Sequence, residues 1–250
     1  MSQNLPPRFT SGVATAPVNS LFGNFPKPQP FAANYYINDF NTYAAGDWTV
    51  RSNNGGTSAL ASFSGGQLVL TTGAVDTNFQ GMALNPTSFA FKAGYQTWFS
   101  INFLCADNTK PSWIVGLTAG GSGAPSSGVY FTKASTSTDI VCVQKGTGTT
   151  NVATLTAGAV DATSLSLGIY YDGKPTPTLY YFASSGLTTP VAFQSPFPVY
   201  GGVIRASTQT MTNLTANVLQ PSFDLIANGG SGAVTMKVDY VMAANEILRF

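Results

Sequence analysis

The chain has 250 residues, of which only 8% are charged; 11 Lys+Arg against 10 Asp+Glu give a formal net charge of +1, and there are no His, two Cys and a single Glu, Glu246. Without His, neither a Ser-His-Asp nor a Cys-His nucleophile system can be built, nor a Cys/His zinc site. A lone Glu excludes a catalytic pair of glutamates, and near-neutral charge with no basic block argues against nucleic acid or an anionic membrane as partner.

Residues 1–38 form the first segment. Pro6, Pro7, Pro17, Pro26, Pro28 and Pro30 interrupt it. Each proline removes a ladder donor and pushes its predecessor toward extended geometry. Apolar side chains recur between them at Leu5, Phe9, Val18, Leu21, Phe22, Phe25, Phe31, Tyr35 and Tyr36. A free linker has no need of such residues, so the segment reads as an extended arm lying against a surface, its own or a neighbour's. Its start, MSQNLPPRFT, has no apolar core of the secretory kind. The expectation is a chain made in a cytoplasm.

From Asp39 onward the pattern is β throughout. Thr97, Phe99, Ile101, Phe103 and Cys105 share one face of a strand. Leu165, Leu167, Ile169 and Tyr171 share another, as do Val234, Met236, Val238, Tyr240 and Met242. A period of two marks strands with one buried face. Shorter strands are expected near 48–51, 59–63, 67–72, 78–84, 112–118, 128–133, 139–145, 151–157, 178–183 and 222–227. Between them stand turn clusters such as Asn53-Asn54-Gly55-Gly56, Asp172-Gly173-Lys174-Pro175 and Asn228-Gly229-Gly230, which supply the positive φ of tight hairpins. Residues 185–212, with Pro190, Pro196 and Pro198, read as a long loop. The expected class is all-β, a two-sheet antiparallel sandwich over 39–250 behind an N-terminal arm.

Several runs, in this order, resemble the concanavalin A-like lectin/glucanase jelly roll. Asp39-Phe40 followed by Trp48-Thr49-Val50 is similar to its opening strand. Ser64-Gly65-Gly66-Gln67-Leu68-Val69-Leu70 is similar to the next, and Trp98-Phe99-Ser100-Ile101-Asn102-Phe103 to the long central strand. Gly128-Val129-Tyr130-Phe131 and Leu167-Gly168-Ile169-Tyr170-Tyr171-Asp172-Gly173 fit later strands. Val238-Asp239-Tyr240-Val241 fits the closing strand that returns beside the first.

The whole layout also resembles bacteriophage proteins that cement or decorate capsids. That resemblance implies a non-enzymatic virion protein on the capsid exterior, a trimer that clamps neighbouring major capsid proteins. The arm side chains Phe9, Leu21, Phe22, Phe25, Phe31, Tyr35 and Tyr36 would then form the capsid or subunit interface. The alternative is a tail fibre or receptor-binding adhesin with a carbohydrate-binding face; a third is a cellular carbohydrate-binding or degrading protein. Laminarinase-type relatives carry a Glu-x-Asp-x-Glu strand, and this chain has none. No cofactor or metal is expected: Asp107-Asn108-Thr109, the nearest counterpart to a lectin calcium loop, offers too few oxygen ligands.

Three side-chain groups remain. Asp39 and Asp239 meet if the first and last strands pair, and are read as carboxylates that hold strand-end N–H groups or a nearby Lys237, with a metal or sugar site the alternative. Trp98 falls on the polar face of its strand, opposite Phe99 and Ile101, and is the candidate surface aromatic for an interface, a second-sheet contact or a glycan. Cys105 and Cys142 lie in apolar runs and read as reduced core thiols, with a disulfide the alternative.

Overall fold

The computed structural model describes residues 28, 32–61, 66–86, 88–107, 110–120, 123–146, 149–155, 164–185, 203–211, 218–228 and 232–247. Of the arm residues named above, Phe9, Leu21, Phe22, Phe25 and Phe31 lie outside this set. Among the described residues there are fifteen strands: β1 (Ala33–Asn38), β2 (Trp48–Ser52), β3 (Thr57–Leu60), β4 (Leu68–Thr71), β5 (Phe79–Leu84), β6 (Thr97–Cys105), β7 (Ser112–Ala119), β8 (Ser127–Lys133), β9 (Ile140–Gly146), β10 (Thr149–Leu155), β11 (Ser164–Tyr171), β12 (Thr178–Ser185), β13 (Val203–Thr210), β14 (Gln220–Ile226) and β15 (Thr235–Glu246). A 3-10 turn, Ala45–Asp47, precedes β2.

The strands form two antiparallel sheets. One has the order β13-β12-β11-β6-β15-β4-β3, with β1 also on β15; the other has the order β10-β9-β8-β7-β14-β5-β2. β15 is long enough to serve two neighbours on one edge. Thr235–Val238 pairs with β4, and Val241–Glu246 pairs with β1. The register shifts between Val238 and Tyr240, so a bulge at Asp239 marks the change of neighbour. A bulge bends its strand and adds twist.

The alternation read in the sequence places the core, except at the end of β15, where the bulge reverses parity and puts Val241 and Ala243 in the core and Met242 on the opposite face. Phe99, Ile101 and Phe103 of β6 face Trp113, Val115 and Leu117 of β7, with Phe131, Phe223 and Leu225 beside them. Ring contacts cross the layer: Phe103 meets Trp113 edge-on at 5.3 Å, and Phe131 meets Tyr181 at 5.6 Å. Cys105 and Cys142 are both buried free thiols in this core, and burial raises the Cys142 pKa. Phe40 has a left-handed φ of 53°. It is held there by its N–H donating to Asn38 Oδ1 at 2.8 Å and by its ring packing against Trp48 and Phe223.

Two expectations need correction. The arm does not run to residue 38: Ala33–Asn38 is β1, paired residue for residue with β15. Tyr35 and Tyr36 therefore make contacts inside this chain. Tyr36 enters the core and meets Trp48 edge-on at 5.9 Å, while Tyr35 packs on the opposite face. Tyr35 and Tyr36 each pack half-buried on an opposite face of β1, so no alternation marks it. The loop expected over 185–212 contains β13, an edge strand paired along its length with β12. An edge strand needs less apolar patterning than a central one, and Gln-, Ser- and Thr-rich β13 has little.

Candidate functional site

The outward face of the seven-stranded sheet carries a buried ion pair. Arg51 on β2 and Asp224 on β14 both stand opposite Gly81 of the intervening strand β5. They are separated by two strand spacings, roughly 9.6 Å, and meet because Gly81 has no side chain. A Cβ there would collide with Asp224 Oδ1. Arg51 Nη2 donates to both carboxylate oxygens, at 2.9 and 3.0 Å, and Nη1 donates to the Gly120 carbonyl at 3.1 Å. The guanidinium thus ties the sheet to the β7–β8 loop. The Gly123 N–H of that loop also bonds Asp224.

The pair is shut off from solvent, with side chains 9% and 1% exposed. Burial pushes the Asp224 pKa up to about 6, against the opposing pull of Arg51 and the Gly123 N–H. Beside it, the Thr118 and Ser222 hydroxyls are hydrogen-bonded at 2.6 Å. Ile114, Tyr130 and Val143 form a small apolar cluster of their own, and burial raises the Tyr130 pKa.

The outward face of the eight-stranded sheet is aromatic. Register places Tyr35, Ala244, Trp98, Tyr170 and Tyr180 in one row across β1, β15, β6, β11 and β12. Trp98 and Tyr170 rings are 5.7 Å apart, as are those of Tyr170 and Tyr180. Phe182 and Met242 join the same cluster. Tyr35 Oη is shielded from water and has no hydrogen-bond partner; burial pushes its pKa up to about 12. Burial likewise raises that of Tyr170, with Asp172, Glu246 and Tyr180 adding to the rise. Trp98 points away from the core, as its strand parity predicts. It is not a surface aromatic, however, because only 1% of it is exposed.

Other carboxylates are also engaged. Asp39 Oδ2 accepts from Asn41 Nδ2 at 2.6 Å and its Oδ1 from the Asn41 N–H at 3.3 Å. β1 does pair with β15, and the last pair, Asn38 with Val241, brings Asp39 toward the bulge at Asp239. Asp172 Oδ1 accepts from the Thr178 and Lys174 N–H groups. Glu246 Oε2 accepts from the Gln96 N–H at 2.8 Å. It lines a cleft of about 480 Å³ with Asn34, Lys92 and Tyr95, where Lys92 Nζ lies 4.7 Å from the Tyr95 ring centre. Asp107 is engaged by Lys110, with Nζ 3.7 Å from Oδ2; Asn108 and Thr109 lie outside the described residues. Among the described residues, no three His, Cys, Asp or Glu side chains are grouped to hold a metal, and no helix is long and apolar enough to cross a membrane.

No protein-family model matches the sequence, and no curated protein matches it. Solved structures do match the fold. Endo-1,3-β-glucanase from Streptomyces sioyaensis superposes with a TM-score of 0.59 at 11% identity, over 88% of this chain and 99% of that one. The Lotus tetragonolobus seed lectin gives 0.56 at 8% identity, over 86% and 100%. Bacillus licheniformis β-glucanase gives 0.54 at 14% identity, over 84% and 97%. The chain therefore has the concanavalin A-like jelly-roll sandwich shared by lectins and glucanases. At these identities the likeness extends to the fold and no further.

Proposed function

We propose that this chain is a non-catalytic attachment protein, a virion decoration protein that sits on the outside of a phage head and clamps neighbouring major capsid proteins. The observation that carries the non-catalytic part is the state of its carboxylates. Two-carboxylate glycoside hydrolysis needs an acid and a second carboxylate roughly 5–9 Å apart, facing the sugar. Asp224, on the outward face of the seven-stranded sheet, is locked in a bidentate pair with Arg51, and Glu246, the only Glu, holds a backbone N–H. The attachment part draws on the proline-interrupted apolar residues that precede β1. In this reading Phe9, Leu21 and Phe22 reach a neighbouring subunit or the shell, and the low surface charge favours a homotrimer. No cofactor takes part.

A carbohydrate-binding adhesin is the second reading, favoured by the extent of the likeness to lectins, which covers nearly their full length. Co-sedimentation with purified phage heads separates the two. The decoration reading expects saturable binding to heads that is lost when residues 1–30 are deleted and is indifferent to free sugars. Binding to glycans but not to heads would replace it with the adhesin reading.

A further inference from the structure

Among the described residues the two sheets end in β13 and β3, and in β10 and β2. An end strand presents a row of backbone donors and acceptors to which another chain can add, and shortness, charge or proline blunts that row. β3 has four residues; β2 has five and includes Arg51; β13 includes Arg205. β10 has none of these devices. Its seven residues read Thr-Thr-Asn-Val-Ala-Thr-Leu, without a charge or a proline.

We infer that β10 pairs with β10 of a second copy, antiparallel and two-fold about Val152, so that the seven-stranded sheets of two chains run on into one another. One side of β10 is paired with β9 along its whole length. Every second residue of such a strand turns its N–H and C=O away from that partner. Among the described residues, Thr150, Val152, Ala153 and Thr154 make no backbone hydrogen bond outside the β9 ladder. The side chains are sorted by face. Ala153 and Leu155 pack against the core, whereas Thr150, Val152 and Thr154 are exposed, Val152 by 63%.

A second copy is the occupant because the strand is complementary to itself. Val152 is the midpoint of Thr149–Leu155, so a two-fold there is the register that pairs all seven residues. It sets Val152 opposite the partner's Val152, and Thr150 opposite the partner's Thr154. The exposed face of the joint is then a Val pair flanked by two Thr pairs, β-branched throughout, which suits neighbouring strands. No like charges meet across it. An isologous contact of this kind closes on itself and forms no fibre. The inference does not rest on the capsid reading, and a two-fold at this edge leaves a threefold contact to other surfaces.

Cysteine crosslinking on the full chain reads the register. Val152→Cys should form a disulfide-linked dimer under mild copper oxidation, while the native Cys105 and Cys142 are buried thiols. Thr150→Cys and Thr154→Cys should each give little dimer alone, because each residue lies four positions from its own copy in the joint, roughly 13 Å. The two variants should crosslink when mixed. No dimer from Val152→Cys, or equal dimer from all three variants alone, would overturn the inference. Sedimentation equilibrium gives an independent reading. Val152→Lys places like charges directly opposite each other at an exposed position and should weaken self-association roughly tenfold, whereas Val152→Thr should preserve it. Self-association that Val152→Lys leaves unchanged would refute the assignment.

Discussion

Replacing Arg51→Met removes the cation and keeps an unbranched side chain of similar reach. Asp224 then remains 1% exposed with its partner gone. Breaking a buried pair by removing one member costs about 3–5 kcal/mol, because the remaining charge has neither water nor a counter-ion. The cost depends on pH in a definite direction. Burial already holds the Asp224 pKa near 6 in the presence of Arg51, and removing the guanidinium raises it further. At pH 8 the folded variant must either keep a buried anion or take up a proton against the solution. At pH 5 the carboxyl is neutral and most of the penalty is gone. For a domain of this size, 1 kcal/mol corresponds to about 2–4 °C in melting temperature, so the variant should melt roughly 10 °C below wild type at pH 8 and much closer to it at pH 5. Asp224→Asn in the same background should recover part of the loss at pH 8 and abolish its pH dependence. Urea unfolding followed by circular dichroism at the two pH values measures this. A loss below about 1 kcal/mol, or one equal at both pH values, would show that the pair does not carry a buried charge.

Three further outcomes follow from the same geometry. In the wild type, Asp224 binds its proton more tightly folded than unfolded, so its contribution to stability is complete below about pH 4 and is lost as pH rises through about 6. A two-unit difference amounts to roughly 3 kcal/mol, which unfolding titrations of wild type against Asp224→Asn will detect. Gly81→Ala should destabilise by about 1–3 kcal/mol through overpacking, whereas alanine in an unobstructed strand position stabilises by about 0.5–1 kcal/mol; chemical denaturation gives the sign. Trp98→Ala should cost about 3–5 kcal/mol, as expected of a buried aromatic, and a loss within about 0.5 kcal/mol would restore it to the surface.

Thirteen strand positions were legible in the sequence from apolar runs set between turn clusters, and in β6 from the chemical alternation of Phe99, Ile101 and Phe103 with Ser100 and Asn102, although Ser100 is itself buried. β1 escaped because its adjacent tyrosines pack half-buried on opposite faces, and β13 because an edge strand behind Pro190, Pro196 and Pro198 carries little apolar pattern. The Arg51–Asp224 pair was not legible, since its members are 173 residues apart. Its only local signals were an isolated glycine inside the run Phe79–Leu84 and an aspartate inside Gln220–Ile226, and a strand glycine often marks a close approach. Strand parity placed Trp98 on the outward face, but parity carries no information about its burial in a cluster with Tyr170, Phe182 and Ala244.

The proposal that the chain is a decoration protein is tested most directly by cryo-electron microscopy of purified phage particles. The account predicts jelly-roll density in threefold clusters on the outer surface of the head, with the chain N-terminal to Ala33 leading from each sandwich to a neighbouring subunit or to the shell. Sandwich density confined to the tail or its fibres, or particles lacking the chain altogether, would contradict it.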